Sequence, residues 1–86
     1  MYTENTHENL IRAMRRWTDG SKHVLAHKSA PKNICDMATF CGDEIELLEW
    51  IVDFPYGVGA IYVVGNEELM YHMKKLRPSL EYIYVT

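Results

Sequence analysis

The stretch that decides the fold is residues 59–86, GAIYVVGNEELMYHMKKLRPSLEYIYVT. Its first apolar run, AIYVV (60–64), is bounded by glycines, which is typical of a strand buried on both faces. Asn66 is a favourable N-cap, and the residues after it carry an apolar stripe at helical spacing, formed by Leu69, Met70, Met73 and Leu76. Leu80–Val85 is again apolar on both faces. This order predicts a parallel βαβ unit with AIYVV central in its sheet.

The part of the chain before this unit supplies two helix patterns and one strand pattern. A helix is predicted from Thr6 to the Asp19–Gly20 turn, followed by a short strand at Lys22–Lys28. A second helix is predicted over Ser29–Gly42, because apolar residues recur there at i, i+3, i+4 and i+7, at Ile34, Met37, Ala38 and Cys41.

A third helix is predicted to begin at Asp43 and to end at FPYG (54–57), where proline and glycine interrupt the pattern. Asp43 with Glu46 three residues later resembles a capping box. The predicted order is therefore α-β-α-α-β-α-β, an α/β fold with a C-terminal parallel βαβ unit and at most three strands.

Length and composition predict one compact domain over residues 1–86, with no linker or tail. Hydrophobic residues make up 48% and charged residues 24%, as in folded globular proteins. No apolar run approaches the ~18 residues of a membrane span, and the N-terminus lacks the pattern of a signal peptide. We therefore expect a cytoplasmic protein that does not interact with membranes.

The glycine turns do not match a nucleotide-binding site. VVGNEELM (63–70) has one glycine, and Glu67 and Glu68 already occupy the positive end of the following helix. YGVGAIY (56–62) has two of the three glycines of GxGxxG, and it precedes a strand instead of following one. No cofactor is expected.

Metal binding is the next alternative, since His23, His27, Cys35 and Cys41 are all zinc-competent side chains. On a strand, His23 and His27 would lie about 13 Å apart, too far to share one ion. The cysteines lack the tight knuckle spacing, and within one helix they would be separated by about 9 Å along its axis. We expect no metal site, and two reduced thiols that do not form a bridge.

Catalytic patterns are also absent from the sequence. Ser21, Ser29 and Ser79 have no nucleophile-elbow context. The carboxylates of GDEIELLEWIVDF (42–54) recur at helical spacing, which favours a solvated face over an acid–base pair. We expect a protein that is not an enzyme.

The third helix has a wider apolar arc than docking on one sheet requires. Its acidic stripe fills only about 60° of the helical wheel, whereas a docked helix needs an apolar arc of somewhat over ~100°. Trp50 and Phe54 should therefore meet either the second helix or another molecule. The functional interpretation is a partner-binding site of aromatic residues rimmed by acidic ones, formed by Trp50, Phe54, Tyr56, Glu46, Glu49 and Asp53.

The first helix carries a basic strip of Arg12, Arg15 and Arg16 opposite its apolar stripe, with Glu8 four residues before Arg12. Residues 1–32 hold six Lys/Arg and three Asp/Glu, whereas residues 33–86 hold three and nine, so the two parts carry +3 and −6. The strip is either a solvated helix face or a site for nucleic acid or an acidic partner.

Two functions remain open at this stage, a protein-binding module that inhibits or adapts a larger partner and a small nucleic-acid-binding domain. In its size and its Met, Tyr and Trp content, the chain is similar to the small host-directed proteins encoded by bacteriophages, a resemblance that covers no motif. The apolar C-terminal strand around Tyr84 would form a sheet edge, which favours a homodimer or pairing with a partner's strand.

Overall fold

The computed structural model describes residues 6–17 and 22–86, in which helices and strands alternate. The α/β class is confirmed, with one strand more than the sequence predicts. In chain order the elements are α1 (His7–Met14), β1 (Lys22–His27), α2 (Lys32–Met37), β2 (Phe40–Gly42), α3 (Glu44–Asp53), β3 (Ala60–Val64), α4 (Glu67–Leu76) and β4 (Glu81–Val85).

The four described strands form one parallel sheet in the order β2-β1-β3-β4. The predicted central position of AIYVV is confirmed, because β3 pairs with β1 on one side and with β4 on the other. The last three elements form the predicted βαβ unit, with Ala60 opposite Glu81 and Val64 opposite Val85. The C-terminal strand β4 is an edge strand.

Helices cover both faces of the sheet because the direction of chain travel reverses once. The step from β1 to β2 goes one way across the sheet, and the steps to β3 and β4 go the other way. Right-handed crossovers therefore place α2 on one face and α3 and α4 on the opposite face. Alternate residues of β3 serve the two layers: Ile61 and Val63 pack with α3 and α4, and Tyr62 and Val64 with α1 and α2.

The second predicted helix was wrong in its C-terminal half. The helix α2 ends at Met37, Ala38 is extended with φ −65° and ψ 155°, and Phe40–Gly42 is the strand β2. Thr39 explains the change, because its N–H and its hydroxyl both bond the backbone of Val24 on β1, at 2.9 and 3.0 Å. A strand of three residues is too short to show an alternating pattern, and the helical spacing there was coincidental.

The first helix is also shorter than predicted. Thr6 caps it as expected, accepting the Asn9 N–H at 3.3 Å, but the helix ends at Met14. Trp17 lies beyond the helix and stacks on Tyr62 of β3, with ring centroids 5.0 Å apart. The predicted stop at Asp19–Gly20 lies outside the described residues.

Local polar interactions start α3 and α4 where the sequence indicated. Asp43 and Glu46 form the predicted capping box, with reciprocal side-chain to backbone hydrogen bonds of 2.9 and 3.1 Å. Asn66 accepts the N–H of Leu69 at 3.1 Å and so caps α4. These caps satisfy backbone donors that a helix leaves free at its N-terminus.

The C-terminus of α3 is held by Arg77, which follows α4. Its guanidinium donates to four backbone carbonyls at 2.8 to 3.4 Å, those of Ile51, Val52, Phe54 and Tyr56. We call this set of bonds the Arg77 clamp. The hydroxyl of Tyr82 in turn donates to the Arg77 carbonyl at 2.9 Å, which links β4 to the clamp.

We expect Arg77→Lys to lower the free energy of unfolding by about 1–3 kcal/mol, because an ammonium cannot reproduce the forked donation to several carbonyls. The measurement is urea denaturation followed by circular dichroism. The control is Lys75→Ala on the exposed side of α4, which should change stability by less than about 0.5 kcal/mol. Equal midpoints for Arg77→Lys and wild type would show that the clamp does not stabilise the fold.

The β2 strand also fixes the environment of Cys41, which lies under α2 beside Cys35. Burial, followed by the hydrogen bond with Cys35, raises the pKa of the Cys41 thiol from 9.0 to about 11. The folded protein therefore keeps this thiol protonated at a pH where the unfolded chain has lost the proton. Stability from this group is complete below pH 9.0 and is lost as the pH rises to about 11.

We expect the urea midpoint of the wild type to fall as the pH rises from 9.0 to about 11, because the unfolded chain loses this proton before the folded protein does. The matched variant Cys41→Ala should show a shallower fall across the same range. Some slope will remain, since burial also raises the pKa of the Tyr82 phenol. Identical pH profiles for the two proteins would contradict the assignment to Cys41.

Candidate functional site

The aromatic residues predicted to bind a partner are largely inside the molecule. Phe54 is only 6% exposed and belongs to the core, and Trp50 is half-buried with its ring 5.2 Å from that of Phe54. His23 of β1 lies against both rings, at centroid distances of 5.7 and 5.0 Å. Tyr56 is exposed and touches Phe54 edge-on at 5.5 Å.

The alternative that the second helix covers these aromatic residues was wrong. Its physical reason is topological, because α2 lies on the other face of the sheet. The sheet itself, through His23, covers Trp50 and Phe54.

The surplus apolar surface of α3 lies on its opposite side. Ile45 is 69% exposed and Val52 is 55% exposed, and half-buried Leu48 lies between them at helical spacing. We call these three residues the α3 strip. With Glu49 and Asp53 they line a shallow groove of about 310 Å³.

The strip is exposed because of the angular phase of α3. Leu47, Ile51 and Phe54 face the sheet and pack in its core. At 100° per residue, Ile45 and Val52 are more than about 100° away from the centre of that face, so their side chains cannot reach the sheet. The sequence gives the width of the apolar arc, but not which end of it faces outward.

A second depression continues the groove between α3 and α4. It measures about 240 Å³, shares Leu48 with the first, and is lined by Glu44, Leu48, Asn66, Glu68, Leu69 and His72. Exposed Leu76 follows His72 at i+4 and so extends the same side of α4. We call the two depressions together the α3–α4 groove.

The α3–α4 groove has an apolar floor and an acidic rim. Its described lining residues include four carboxylates and no lysine or arginine, the acidic residues being Glu44, Glu49, Asp53 and Glu68. Glu46 of the predicted rim is engaged in the capping box of α3. The groove therefore has the surface chemistry of a site for an apolar segment with positive flanks.

The carboxyl ends of β1 and β3 form the other polar cluster that sequence reasoning missed. Ser29 donates its N–H to Nδ1 of His27 at 3.1 Å, and its hydroxyl lies 2.8 Å from the same nitrogen. Glu44 lies 3.9 Å from Nε2 of the same ring. No spacing in the sequence signals this cluster, because three separate elements supply it.

This cluster lies at the strand ends, where open α/β sheets often bind ligands. Gly65 has φ +97°, and a Cβ there would lie 3.0 Å from the His27 Cβ and 3.4 Å from the Ser29 hydroxyl. The Ser29 hydroxyl faces a second acceptor, the Gly65 carbonyl at 3.4 Å. The backbone N–H groups of Lys28 and Ala30 are both bonded to carbonyls, so they cannot stabilise an oxyanion.

The glycine of VVGNEELM therefore permits a close approach of two loops. It is not arranged as a phosphate-binding turn.

The arginine strip lies on the opposite face of the molecule from the α3–α4 groove. Arg12, Arg15 and Arg16 are all exposed, and Arg12 pairs with Glu8 at 2.9 Å. Arg15 and Arg16 lie in the turn after α1, because the helix is shorter than predicted. The arginine strip is thus a separate surface, and a partner bound in the α3–α4 groove would not contact it.

The candidate zinc ligands are divided between the two faces of the sheet. His23 packs with Trp50 and Phe54 on the α3 side, while Cys35 and Cys41 pack in the core under α1 and α2. Within residues 6–17 and 22–86, no three potential ligands come together as a metal site.

Tyr84 of the edge strand β4 is half-buried against the core on the α3 side. Its ring therefore contributes to packing, and only the backbone edge of β4 is available for pairing with another strand.

The chain matched no family model, and no similar curated protein or solved structure was found. The longest described helices, α3 and α4, have ten residues each, and neither they nor any other described helix could cross a membrane. The function of the chain is therefore inferred from its surfaces.

The free energy of unfolding of variants can test which residues of α3 are buried and which are exposed. We expect Phe54→Ala to lower the free energy of unfolding by about 3–5 kcal/mol, because it leaves a cavity in the core. Ile45→Ser and Val52→Ser should each cost less than about 0.5 kcal/mol, since both side chains are exposed. A large loss from either serine variant in chemical denaturation would show that the α3 strip is buried in solution.

Proposed function

We propose that this chain is a small, non-catalytic, cytoplasmic protein-binding module that inhibits or adapts a larger partner. The observation that carries the proposal is the α3 strip, in which Ile45 and Val52 are exposed on either side of Leu48. Two large aliphatic side chains exposed on one helix face, beside a groove, are typical of an interaction surface.

The partner segment that best fits the groove is an amphipathic helix with basic residues along its flanks. A groove between two helices accepts the apolar face of a third helix, with anchors at i, i+3 or i+4, and i+7. The rim carboxylates Glu44, Glu49, Asp53 and Glu68 would face lysine or arginine on that helix.

The region just after α3 extends this surface. Tyr56 and Val58 are exposed, and the Arg77 clamp fixes the Tyr56 carbonyl at 2.8 Å. A partner longer than the groove would therefore meet Tyr56, an aromatic side chain of the type that dominates binding hot spots. Of the aromatic residues predicted to bind a partner, Tyr56 is the one whose ring is exposed.

The test compares a groove variant with a matched surface variant. We expect Ile45→Ser combined with Val52→Ser to weaken binding of a purified partner at least about tenfold, equivalent to about 1.4 kcal/mol. Tyr71→Ser on α4 removes an equally exposed side chain outside the groove and should leave the dissociation constant unchanged. Partners would be captured from lysate with wild type, purified, and titrated against all three proteins by calorimetry.

Charge provides a second arm of the same experiment. Glu49→Lys combined with Asp53→Lys should also weaken binding, and a peptide from the partner should compete for the groove only if its basic flanks are kept. Partners that bind wild type and the Ile45→Ser/Val52→Ser variant equally would refute the groove. A second copy of this chain as the occupant would appear as a groove-dependent dimer in sedimentation equilibrium.

Nucleic-acid binding through Arg12, Arg15 and Arg16 is the alternative function, supported by the exposure of all three side chains. The net charge of −3 and the pairing of Arg12 with Glu8 oppose it. Binding that is lost in Arg12→Glu/Arg16→Glu, survives the groove variant, and falls steeply with salt would identify this function instead.

A further inference from the structure

The two cysteines of the chain meet on the face of the sheet opposite the α3–α4 groove. Cys41 on β2 is paired in register with Ala26 of β1, and both side chains belong to the core under α1 and α2. The Cys35 sulfur on α2 lies 3.6 Å from the carbonyl of His27, the residue after Ala26. Neighbouring strands are only about 4.8 Å apart, so the helix holds the Cys35 thiol over β1, one strand away from Cys41.

The two thiols lie on the same side of the sheet and pack against the same core. Cys35 lies close enough to Cys41 to contribute to its raised pKa, and both residues are half-buried. They are the only cysteines in the sequence. The expectation that they could not bridge assumed one continuous helix, and the turn at Ala38 and Thr39 removes that separation.

We propose that Cys35 and Cys41 form a redox-active dithiol that closes to an intramolecular disulfide by exchange with a low-molecular-weight disulfide such as oxidised glutathione. The two protein thiols are oxidised to one disulfide, and one glutathione disulfide is reduced to two glutathione thiols, which take up the two protons. No metal or cofactor is needed for this exchange.

The order of the two steps follows from the surroundings of each thiol. Burial, followed by the interaction with Cys35, raises the pKa of Cys41 to about 11 and lowers its thiolate fraction, so Cys35 attacks first as the thiolate and displaces one glutathione thiolate. The Cys41 sulfur then attacks the Cys35 sulfur of the mixed disulfide, loses its proton, and releases the second glutathione. Cys41 is thus the resolving residue.

Closing the bridge would tie β2 to α2. The strand β2 is a three-residue edge strand, held in the sheet by three residue pairs with β1. A disulfide across a short loop restricts the unfolded chain and fixes this edge. The α3–α4 groove lies on the other face of the sheet, so the disulfide proposal and the proposed binding function can be tested independently.

The experiment incubates the purified chain with oxidised glutathione and follows it by intact-mass spectrometry. We expect a monomer lighter by two hydrogen atoms, with neither thiol open to iodoacetamide, and a return to the starting mass with dithiothreitol. The oxidised form should show a higher melting temperature than the reduced form. A product that carries only glutathione adducts, or only intermolecular dimers, would overturn the proposal.

Single variants test the assigned order of attack. Cys41→Ser should accumulate glutathione on Cys35, because the resolving thiol is gone. Cys35→Ser should react more slowly with oxidised glutathione than Cys41→Ser, because burial still raises the pKa of Cys41 and lowers its thiolate fraction. Faster modification of Cys41 than of Cys35 would reverse the roles and refute this mechanism.

Discussion

The strand β3 sets the constraint on which the rest of the structure depends. Its residues Ile61 to Val64 are buried on both sides, so the sheet needs a helical layer on each face. Two layers around a parallel sheet require crossovers in both directions, and this is what places α2 apart from α3 and α4. The α3–α4 groove and the strip of Arg12, Arg15 and Arg16 lie on the outer sides of opposite layers.

The fold class and the C-terminal βαβ unit could be predicted from sequence, because their signals are local. A continuous apolar run, an Asn66 cap and an Asp43–Glu46 capping box each depend on neighbours within a few residues. The strand β2 could not be predicted, since Phe40–Gly42 is specified by backbone pairing with β1 and not by its own pattern. Without β2, the sequence interpretation placed both cysteines on one helix. It also gave no sign that the sheet order reverses after β2, which puts α2 on the opposite face from α3 and α4.

The candidate site was only partly predictable for a related reason. The wheel of α3 showed correctly that this helix has more apolar surface than a single sheet can cover. Which end of the arc is surplus depends on the angular phase of the helix, and the core contacts of Leu47, Ile51 and Phe54 set that phase. Trp50 and Phe54, the most recognisable interface residues by type, were therefore assigned to binding although they pack inside.

The parallel sheet has a consequence for how this chain acquires its structure. The register pairs join residues 15 positions apart between β1 and β2, 38 apart between β1 and β3, and 21 apart between β3 and β4. None of these pairings is a hairpin that could form early, so each must close a long loop first. During synthesis on a ribosome, β1 cannot complete its pairing with the central strand β3 until residue 64 has left the ribosome. Val24 and Leu25, which are buried in the folded protein, stay exposed to solvent for most of that time. We expect chaperones to bind the chain at this stage.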